Sequence, residues 1–149
     1  MKTSLLFLAL LLISTASFAQ SADEVIKKAC TAETANFDKR DLTAVVAGYA
    51  DVPYASRYWP NNAYNGATAI RAAYTKYVAS APAPAPMTRE QSNWQLRPLG
   101  GTHYWATYDQ TSTGADGKKS RSKEVRLLEK ISGQWKMVSV VTLPMPESE

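Results

Sequence analysis

The second half of the sequence limits the fold most strongly, because short turn sequences divide it into four runs of strand character. The turns are GG, GADGK and SG, and the runs are TREQSNWQLRPL (88–99), THYWATYDQTST (102–113), KSRSKEVRLLEKI (119–131) and QWKMVSVVTL (134–143). Loops this short join antiparallel neighbours, since a parallel crossover needs a dozen residues or more. The second half therefore predicts a four-stranded antiparallel meander.

The first half has helical periodicity instead, with apolar residues recurring at intervals of three and four. Helices are predicted over residues 22–41, 41–50 and 65–80. Ser21 and Asp41 are suitable N-caps for the first two of these helices. Pro53 and Pro60 exclude a continuous helix between the second and the third, and the aromatic content there favours one or two short strands. Helices followed by antiparallel strands predict an α+β fold.

Residues 1–19 have the pattern of a cleavable signal peptide. Lys2 precedes an apolar run over residues 5–13, and the sequence SFA supplies the small residues that signal peptidase requires. Cleavage is predicted after Ala19, and residues 20–149 are predicted to form a single domain. The mature protein is therefore expected to be periplasmic or secreted, with no membrane attachment after cleavage.

Composition argues against several classes of function. The formal net charge of +4 is mild, and the densest basic run, KKSRSK at 118–123, is predicted to be a solvated hairpin tip rather than a nucleic-acid patch. The chain has one histidine and one cysteine, so no zinc or iron site built on imidazole or thiolate is expected. No cofactor is predicted, and Cys30 is expected to be a buried structural thiol.

Three segments of the chain, in this order and spacing, resemble the nuclear-transport-factor-2-like superfamily. They are DLTAVVAGYAD (41–51), NGATAIRAAY (65–74) and VRLLEKISGQWKMVSV (125–140). Within the superfamily the sequence is most similar to the SnoaL-like and ketosteroid-isomerase-like branch. The resemblance implies a cone, in which a strongly curved antiparallel sheet wraps around the long N-terminal helix and two shorter helices complete the fold. It also implies a pocket at the wide end and a homodimer formed through the outer face of the sheet.

The resemblance also allows the isomerase site to be checked position by position. The isomerases keep a carboxylate base eight residues after the tyrosine that corresponds to Tyr49, and that position is Arg57 here. They keep an oxyanion-stabilising tyrosine sixteen residues before it, and that position is Glu33. Relatives often carry histidines on the last strand, where this chain has Ser139 and Val141. A guanidinium cannot act as a general base near neutral pH, so isomerase-type catalysis is not expected.

Candidate residues remain for binding and for another kind of chemistry. Glu33 and Arg57 occupy the positions that face the pocket in the isomerases, so if both face inward they are expected to form an ion pair, or Arg57 to bind a ligand carboxylate. The alternative is that the aromatic side chains fill the cone and Arg57 forms an ion pair at its rim. The candidate ligand-binding residues are Arg57, Tyr54, Tyr58, Trp59, Tyr74, Trp94 and Trp105, whose side chains are expected to face the interior of the cone. Candidate catalytic residues are His103, Asp51 and Glu33, with Tyr58 in support.

These residues leave three functions open. The leading hypothesis is an exported, non-catalytic SnoaL-like domain that binds a small apolar or carboxylate-bearing ligand in an aromatic-lined pocket. The alternative is an enzyme resembling cyclases, dehydratases or isomerases that uses His103, Asp51 and Glu33 instead of the usual residues. A further alternative is a dimeric structural or interaction module.

Overall fold

The computed structural model describes residues 21–80 and 85–146. These residues form three helices and one six-stranded sheet, with the strand order β2-β1-β6-β5-β4-β3. The helices are α1 (Ala22–Lys39), α2 (Leu42–Gly48) and α3 (Ala67–Ser80), and the strands are β1 (Ser56–Trp59), β2 (Asn62–Asn65), β3 (Met87–Leu99), β4 (His103–Gly114), β5 (Lys119–Ile131) and β6 (Gln134–Met145). The predicted α+β class is confirmed. The predicted signal peptide lies outside the described residues.

Local sequence signals determine where the first two helices begin. The Ser21 side chain accepts a hydrogen bond from the backbone N–H of Glu24 at 3.3 Å, and Asp41 accepts one from Ala44 at 2.9 Å. Each such cap stabilises its helix by about 1 kcal/mol, because it satisfies a donor that the helix itself leaves unpaired. Helix α1 ends at Arg40, whose φ of 57° is left-handed and turns the chain towards α2.

The predicted meander is confirmed, since β3, β4, β5 and β6 pair antiparallel in sequence order. The expectation of a purely antiparallel sheet is wrong at one pairing. Strand β1 runs parallel to β6, with Ser56 opposite Ser139 and Tyr58 opposite Val141. These two strands are far apart in the chain, with β2, α3, β3, β4 and β5 between them, so no short turn forces them to run in opposite directions.

The side chains of β4 and β5 that are buried alternate with partly exposed ones, so one face of the sheet packs inward against α1. The inward face and the helices enclose one apolar core, which comprises Ile26, Cys30, Val45, Tyr49, Ala55, Ile70, Tyr74, Tyr104, Ala106, Tyr108, Leu128, Met137 and Val140. Burial of each large apolar side chain contributes roughly 1.5–3 kcal/mol. Among the described residues, no helix is long and apolar enough to cross a membrane.

A β-bulge in β3 changes which of its side chains face inward. The pairing with β4 shifts register between Ser92 and Gln95, and Asn93 adopts a φ of 52°. The extra residue brings Trp94 over Tyr108, where the two rings stack with centroids 4.1 Å apart. The bulge thereby closes the core beside the polar part of the inner face.

Candidate functional site

A polar cavity of about 300 Å³ lies between α1 and the inner face of the sheet. Its lining is Glu33, Thr34, Phe37, Arg57, Trp59, Arg89, Gln110, Ser112, Ser120, Arg121, Ser122, Glu124, Arg126, Thr142 and Pro144. Four of these residues are arginines and two are glutamates, so the wall has an excess of positive charge. A cavity of this size holds a small organic molecule.

Arg126 on β5 is buried and surrounded by acceptors. Its Nη1 atom donates to Glu124 Oε2 at 2.7 Å, and its Nη2 atom lies 3.5 Å from Glu33 Oε2. Glu124 also accepts hydrogen bonds from Thr142 Oγ1 at 2.9 Å and from Ser122 Oγ at 2.8 Å. The positive charge of Arg126 is thus balanced by two carboxylates, and the floor of the cavity is an ionic network in which the Arg126 Nε atom alone of the guanidinium nitrogens is buried without a hydrogen-bond partner among the described residues.

Two tyrosine hydroxyls hold the other oxygen of Glu33. Tyr74 donates to Glu33 Oε1 at 3.0 Å and Tyr49 donates to the same atom at 3.3 Å, and the two hydroxyls lie 3.1 Å apart. Burial is the main cause that raises the pKa of both tyrosines above the ordinary value, and the Glu33 charge raises it further. Both hydroxyls therefore stay protonated at neutral pH and remain hydrogen-bond donors.

Arg57 on β1 is buried like Arg126, but it is not paired. Its Nε and Nη1 atoms are buried and have no hydrogen-bond partner among the described residues. Burial lowers the pKa of the guanidinium, but Tyr49, Tyr74 and Glu33 outweigh this effect, and the net shift is upward. Arg57 therefore remains charged inside the cavity wall. The guanidinium packs against the Trp59 ring, whose centroid lies 5.0 Å from the Arg57 Cζ atom.

The expected ion pair between Glu33 and Arg57 is replaced by a different pair. Both residues line the cavity, but the cation within 4 Å of the Glu33 carboxylate is Arg126. Glu33 therefore has one oxygen engaged by hydroxyls and the other by a guanidinium. Arg57 is left without a carboxylate of its own in the described part of the chain.

Arg89 on β3 is also neutralised by the protein. Its Nε and Nη2 atoms bind the two oxygens of Asp38 at 2.7 and 2.6 Å, and Nη1 donates to Ser112 at 2.9 Å. Asp38 thus offsets one of the positive charges of the cavity wall. A net positive potential remains, and it favours an anion in the cavity.

A second, aromatic cavity of about 330 Å³ adjoins the first one. Its walls are Phe37, Trp59, Pro60, Asn61, Asn62 and Tyr77. The Phe37 and Tyr77 rings stack with centroids 5.0 Å apart, and Trp59 lies 6.4 Å from each of them. Phe37 and Trp59 line both cavities.

Three of the expected site residues on the strands lie outside the cavities, two of them because side chains along a strand alternate between its two faces. Tyr58 follows the inward-facing Arg57 and is 38% exposed, and Trp105 stands between the buried Tyr104 and Ala106 and is 41% exposed. The expectation that Tyr58 and Trp105 face the interior is therefore wrong. Trp94 faces inward, but it packs on Tyr108 and does not line either cavity.

Most of the candidate catalytic residues also lie outside the cavities. His103 is on the outer face of β4, where its Nε2 atom is 3.9 Å from Glu129 Oε2, and Tyr54 donates to the same Glu129 oxygen at 2.8 Å. Asp51 is exposed in the loop after α2. Tyr54 is exposed too, so the expectation that it faces the interior is wrong. The structure brings Glu33 to the cavity and separates it from His103 and Asp51.

Several cavity residues were missed from the sequence, above all the acid–base pair of β5. Ser122, Glu124, Arg126 and Leu128 alternate in the sequence SKEVRLL, which is the spacing of one strand face. Charged side chains at such positions normally indicate the solvent side. The alternation of these residues therefore indicated that they share one face of β5, but their charges suggested the solvent-exposed face instead of the inner face.

The described residues contain no group of three or more histidine, cysteine, aspartate or glutamate side chains that could hold a metal ion. Cys30 is buried, and burial raises the pKa of its thiol to about 12. A thiol with such a pKa is not a nucleophile at neutral pH. The cavity chemistry therefore depends on guanidinium, carboxylate, hydroxyl and amide groups.

The geometry of the chain matches solved structures of one fold. An NTF-2-like protein of unknown function from Shewanella oneidensis has a TM-score of 0.67 at 15% identity, with 82% of this chain and 98% of that chain covered. A ketosteroid-isomerase-like protein from Erwinia carotovora atroseptica has a TM-score of 0.64 at 21% identity, with coverages of 83% and 95%. A scytalone-dehydratase-like protein from Novosphingobium aromaticivorans has a TM-score of 0.67 at 12% identity, with coverages of 82% and 83%.

No protein-family model matches the sequence, and no curated protein matches it. The predicted resemblance is nevertheless confirmed, since the similar structures are nuclear-transport-factor-2-like and ketosteroid-isomerase-like proteins. The chain has the nuclear-transport-factor-2-like fold, with a curved sheet that does not close. A fold of this kind supports many activities, so function must be argued from the cavity.

Proposed function

We propose that this chain is an exported, non-catalytic SnoaL-like domain that binds a small carboxylate-bearing molecule in its polar cavity. The observation that carries the proposal is Arg57, which is only 7% exposed and lines the cavity, while its Nε and Nη1 atoms have no partner among the described residues. Leaving a buried charge without a counter-ion or hydrogen bonds is costly. A carboxylate bound at the part of the Arg57 side chain that lines the cavity would supply the counter-ion.

The geometry of a guanidinium favours a carboxylate over other acceptors. Nε and one terminal nitrogen form a planar fork that matches the two oxygens of a carboxylate. The residual positive charge of the cavity wall works in the same direction. The Trp59 ring limits the orientations of the fork, so less side-chain entropy is lost when an anion binds.

Two features support a role in binding rather than catalysis. The position of the isomerase base is occupied by Arg57, which cannot abstract a proton near neutral pH. The carboxylate in the cavity, Glu33, already has both oxygens engaged by Tyr49, Tyr74 and Arg126. A general base needs an accessible oxygen within hydrogen-bonding reach of the proton that it takes.

The test is a calorimetric titration with carboxylates and with their amides and alcohols, compared between the wild type and Arg57→Met. Carboxylates should bind the wild type, and the uncharged analogues should not. The variant should lose at least tenfold in affinity, and Arg57→Lys should fall between the two because it keeps the charge but not the fork. Equal affinity of Arg57→Met and wild type for every carboxylate would refute the proposal.

Catalysis can be tested in the same samples. Ligands recovered after incubation should be chemically unchanged, as judged by mass and by exchange of protons next to the carboxylate in deuterated water. Exchange that depends on Glu33 would favour the isomerase-like alternative, and exchange is therefore measured in Glu33→Gln as well.

We also propose that the chain forms a homodimer through the outer face of the sheet. Trp105, Leu143 and Tyr58 are exposed apolar side chains on that face, and the partly buried Val125 and Val141 are paired beside them. Sedimentation should give a dimer for the wild type and a monomer for Trp105→Lys with Leu143→Lys. A wild-type monomer at every concentration would contradict the proposal.

Export is proposed on the sequence pattern of residues 1–19. Expression of the whole chain in a Gram-negative host should yield periplasmic protein whose N-terminal residue is Gln20. A full-length cytoplasmic product would contradict it.

A further inference from the structure

We infer that the ligand is an aryl carboxylate whose acidic group binds Arg57 in the polar cavity while its ring occupies the aromatic cavity next to it. This inference rests on the proposed function and specifies its ligand. The two cavities are separate spaces, but Phe37 and Trp59 belong to the walls of both. The inferred ligand extends past these two shared side chains from one cavity into the other.

The charged part and the aromatic part of this joint site are close together. Trp59 is the link, since its ring centroid lies 5.0 Å from Arg57 Cζ and 6.4 Å from the centroids of Phe37 and Tyr77. The Arg57 Cζ atom is therefore no more than the combined 5.0 and 6.4 Å from the ring centroids of Phe37 and Tyr77. A carboxylate joined to a ring directly or through a short chain fits this span.

The walls of the aromatic cavity favour a ring over an alkyl group of the same size. The three rings of Phe37, Trp59 and Tyr77 provide faces and edges for stacked or edge-to-face contacts. Asn61 and Asn62 at the rim provide amides for a polar substituent. Tyr77 is 38% exposed, so part of its ring is free to contact a ligand.

The two cavities differ in a way that assigns each to one end of the ligand. The polar cavity contains Arg57 with unpaired buried nitrogens, whereas the aromatic cavity contains no charged side chain among its described lining residues. An acid group in the aromatic cavity would gain no counter-ion, and a bare ring in the polar cavity would leave Arg57 unpaired. Only one orientation satisfies both ends.

The experiment titrates two series of ligands against the protein and follows the Arg57 Nε–H and Trp59 Nε1–H signals by NMR. The aryl series is benzoate, phenylacetate and 3-phenylpropanoate. The matched series is cyclohexanecarboxylate, cyclohexylacetate and 3-cyclohexylpropanoate, which have the same charge and similar size. At least one aryl acid should bind about three- to tenfold more tightly than its cyclohexyl partner. Benzyl alcohol should bind far more weakly than either acid.

Two variants test the contribution of the ligand's ring to binding separately from that of its carboxylate. Tyr77→Leu removes one wall of the aromatic cavity and should remove most of the preference for aryl acids, with little effect on the cyclohexyl series. Tyr58→Leu is the matched control, because Tyr58 is also 38% exposed but lies on the outer face. Its ligand affinities should equal those of the wild type.

The outcomes distinguish this inference from the proposed function. If both series bind with equal affinity through Arg57 and Tyr77→Leu changes nothing, the aryl inference is overturned and carboxylate binding stands. If no carboxylate shifts the Arg57 signal, both are overturned. Selective loss of aryl affinity in Tyr77→Leu, with unchanged affinity in Tyr58→Leu, supports the joint site.

Discussion

Arg126 and Arg57 are two buried arginines in the same cavity wall, and the protein treats them in opposite ways. They are 2% and 7% exposed, and both lie opposite Val140 of β6, on its two sides. Each guanidinium lies over an aromatic ring, but Arg126 has two carboxylates within 4 Å and one buried nitrogen without a hydrogen-bond partner, whereas Arg57 has no carboxylate within 4 Å and two such nitrogens among the described residues. Burial alone therefore does not indicate what a charged side chain does.

The difference between the two arginines distinguishes a charged group that stabilises the fold from one that is proposed to bind a ligand. A buried ion pair is part of the core, and removing one partner is costly because it leaves the other charge uncompensated. A buried ion without a partner lowers stability unless something binds it, and strained or perturbed groups of this kind cluster at functional sites. The contacts of Arg126 are accordingly those of a structural ion pair, whereas the lack of a carboxylate at Arg57 is the reason for proposing that a ligand binds there.

The largest effect is expected for Arg126→Met. The substitution leaves Glu33 and Glu124 buried without their cation, and the free energy of unfolding should fall by about 3–5 kcal/mol. Urea titration followed by tryptophan fluorescence measures it. Adding Glu124→Gln to Arg126→Met should recover part of the loss, because one uncompensated charge disappears. A loss below about 1 kcal/mol in the single variant would show that the network does not stabilise the fold.

The next largest effect is expected from alkaline pH, which should lower the free energy of unfolding. Burial raises the pKa of Cys30 from 9.0 to about 12 and raises the pKa values of Tyr49, Tyr74 and Tyr108 above 10.0. Above pH 9 the unfolded chain loses these protons first, so the folded chain binds more protons and rising pH favours unfolding. Stability from these groups is complete below about pH 9 and is lost as pH approaches 12.

The variant Cys30→Ala tests how much the Cys30 thiol contributes to the loss of stability at alkaline pH. Urea titrations at several pH values from about 8 to about 11 should show a decline with pH that is shallower than in the wild type by up to about 1.4 kcal/mol per unit above pH 9. Replacing the thiol with a methyl group also lowers the free energy of unfolding by an amount that does not depend on pH. That amount does not affect the slope of the free energy against pH. Identical slopes would mean that the thiol titrates in the folded chain as it does in the unfolded one.

The sequence predicted the elements far better than it predicted the cavity. The turns GG, GADGK and SG defined the meander, because short turns are a local property of the chain. The pairing of β1 with β6 was beyond reach, since it joins residues 83 positions apart, such as Ser56 and Ser139. Arg57 and Glu33 were correctly directed to the cavity wall by the family resemblance, not by their own sequence context.

The choice of strand face explains the remaining errors. Strands β1 and β4 carry large aromatic residues on both faces, so alternation alone did not separate Trp59, which lines the cavity, from Tyr58 and Trp105. Arg126 was missed for the opposite reason, because a charged residue on the inner face contradicts the usual pattern. Sequence reasoning failed mainly where charged groups are buried.

An intermediate effect is expected for Arg89→Met, which breaks a paired but only partly buried arginine. The Arg89–Asp38 pair is bidentate at 2.6 and 2.7 Å, with side chains 19% and 26% exposed. Solvent screens part of the interaction, so the unfolding free energy should fall by about 1–2 kcal/mol. A double-mutant cycle with Asp38→Asn isolates the coupling. A loss as large as that of Arg126→Met would mean that pairing matters and burial does not.

The smallest effect on stability is expected for Arg57→Met, although it removes a buried charge from the same wall. The variant loses the contact with Trp59 and gains relief from desolvation, so its unfolding free energy without ligand should stay within about 1 kcal/mol of the wild type. A carboxylate at 100 times its Kd should stabilise the wild type by about 2.7 kcal/mol and leave the variant unchanged. Urea titrations with and without benzoate make the comparison. If Arg57→Met instead destabilises the free protein as much as Arg126→Met does, Arg57 has a structural partner after all, and the two arginines are equivalent.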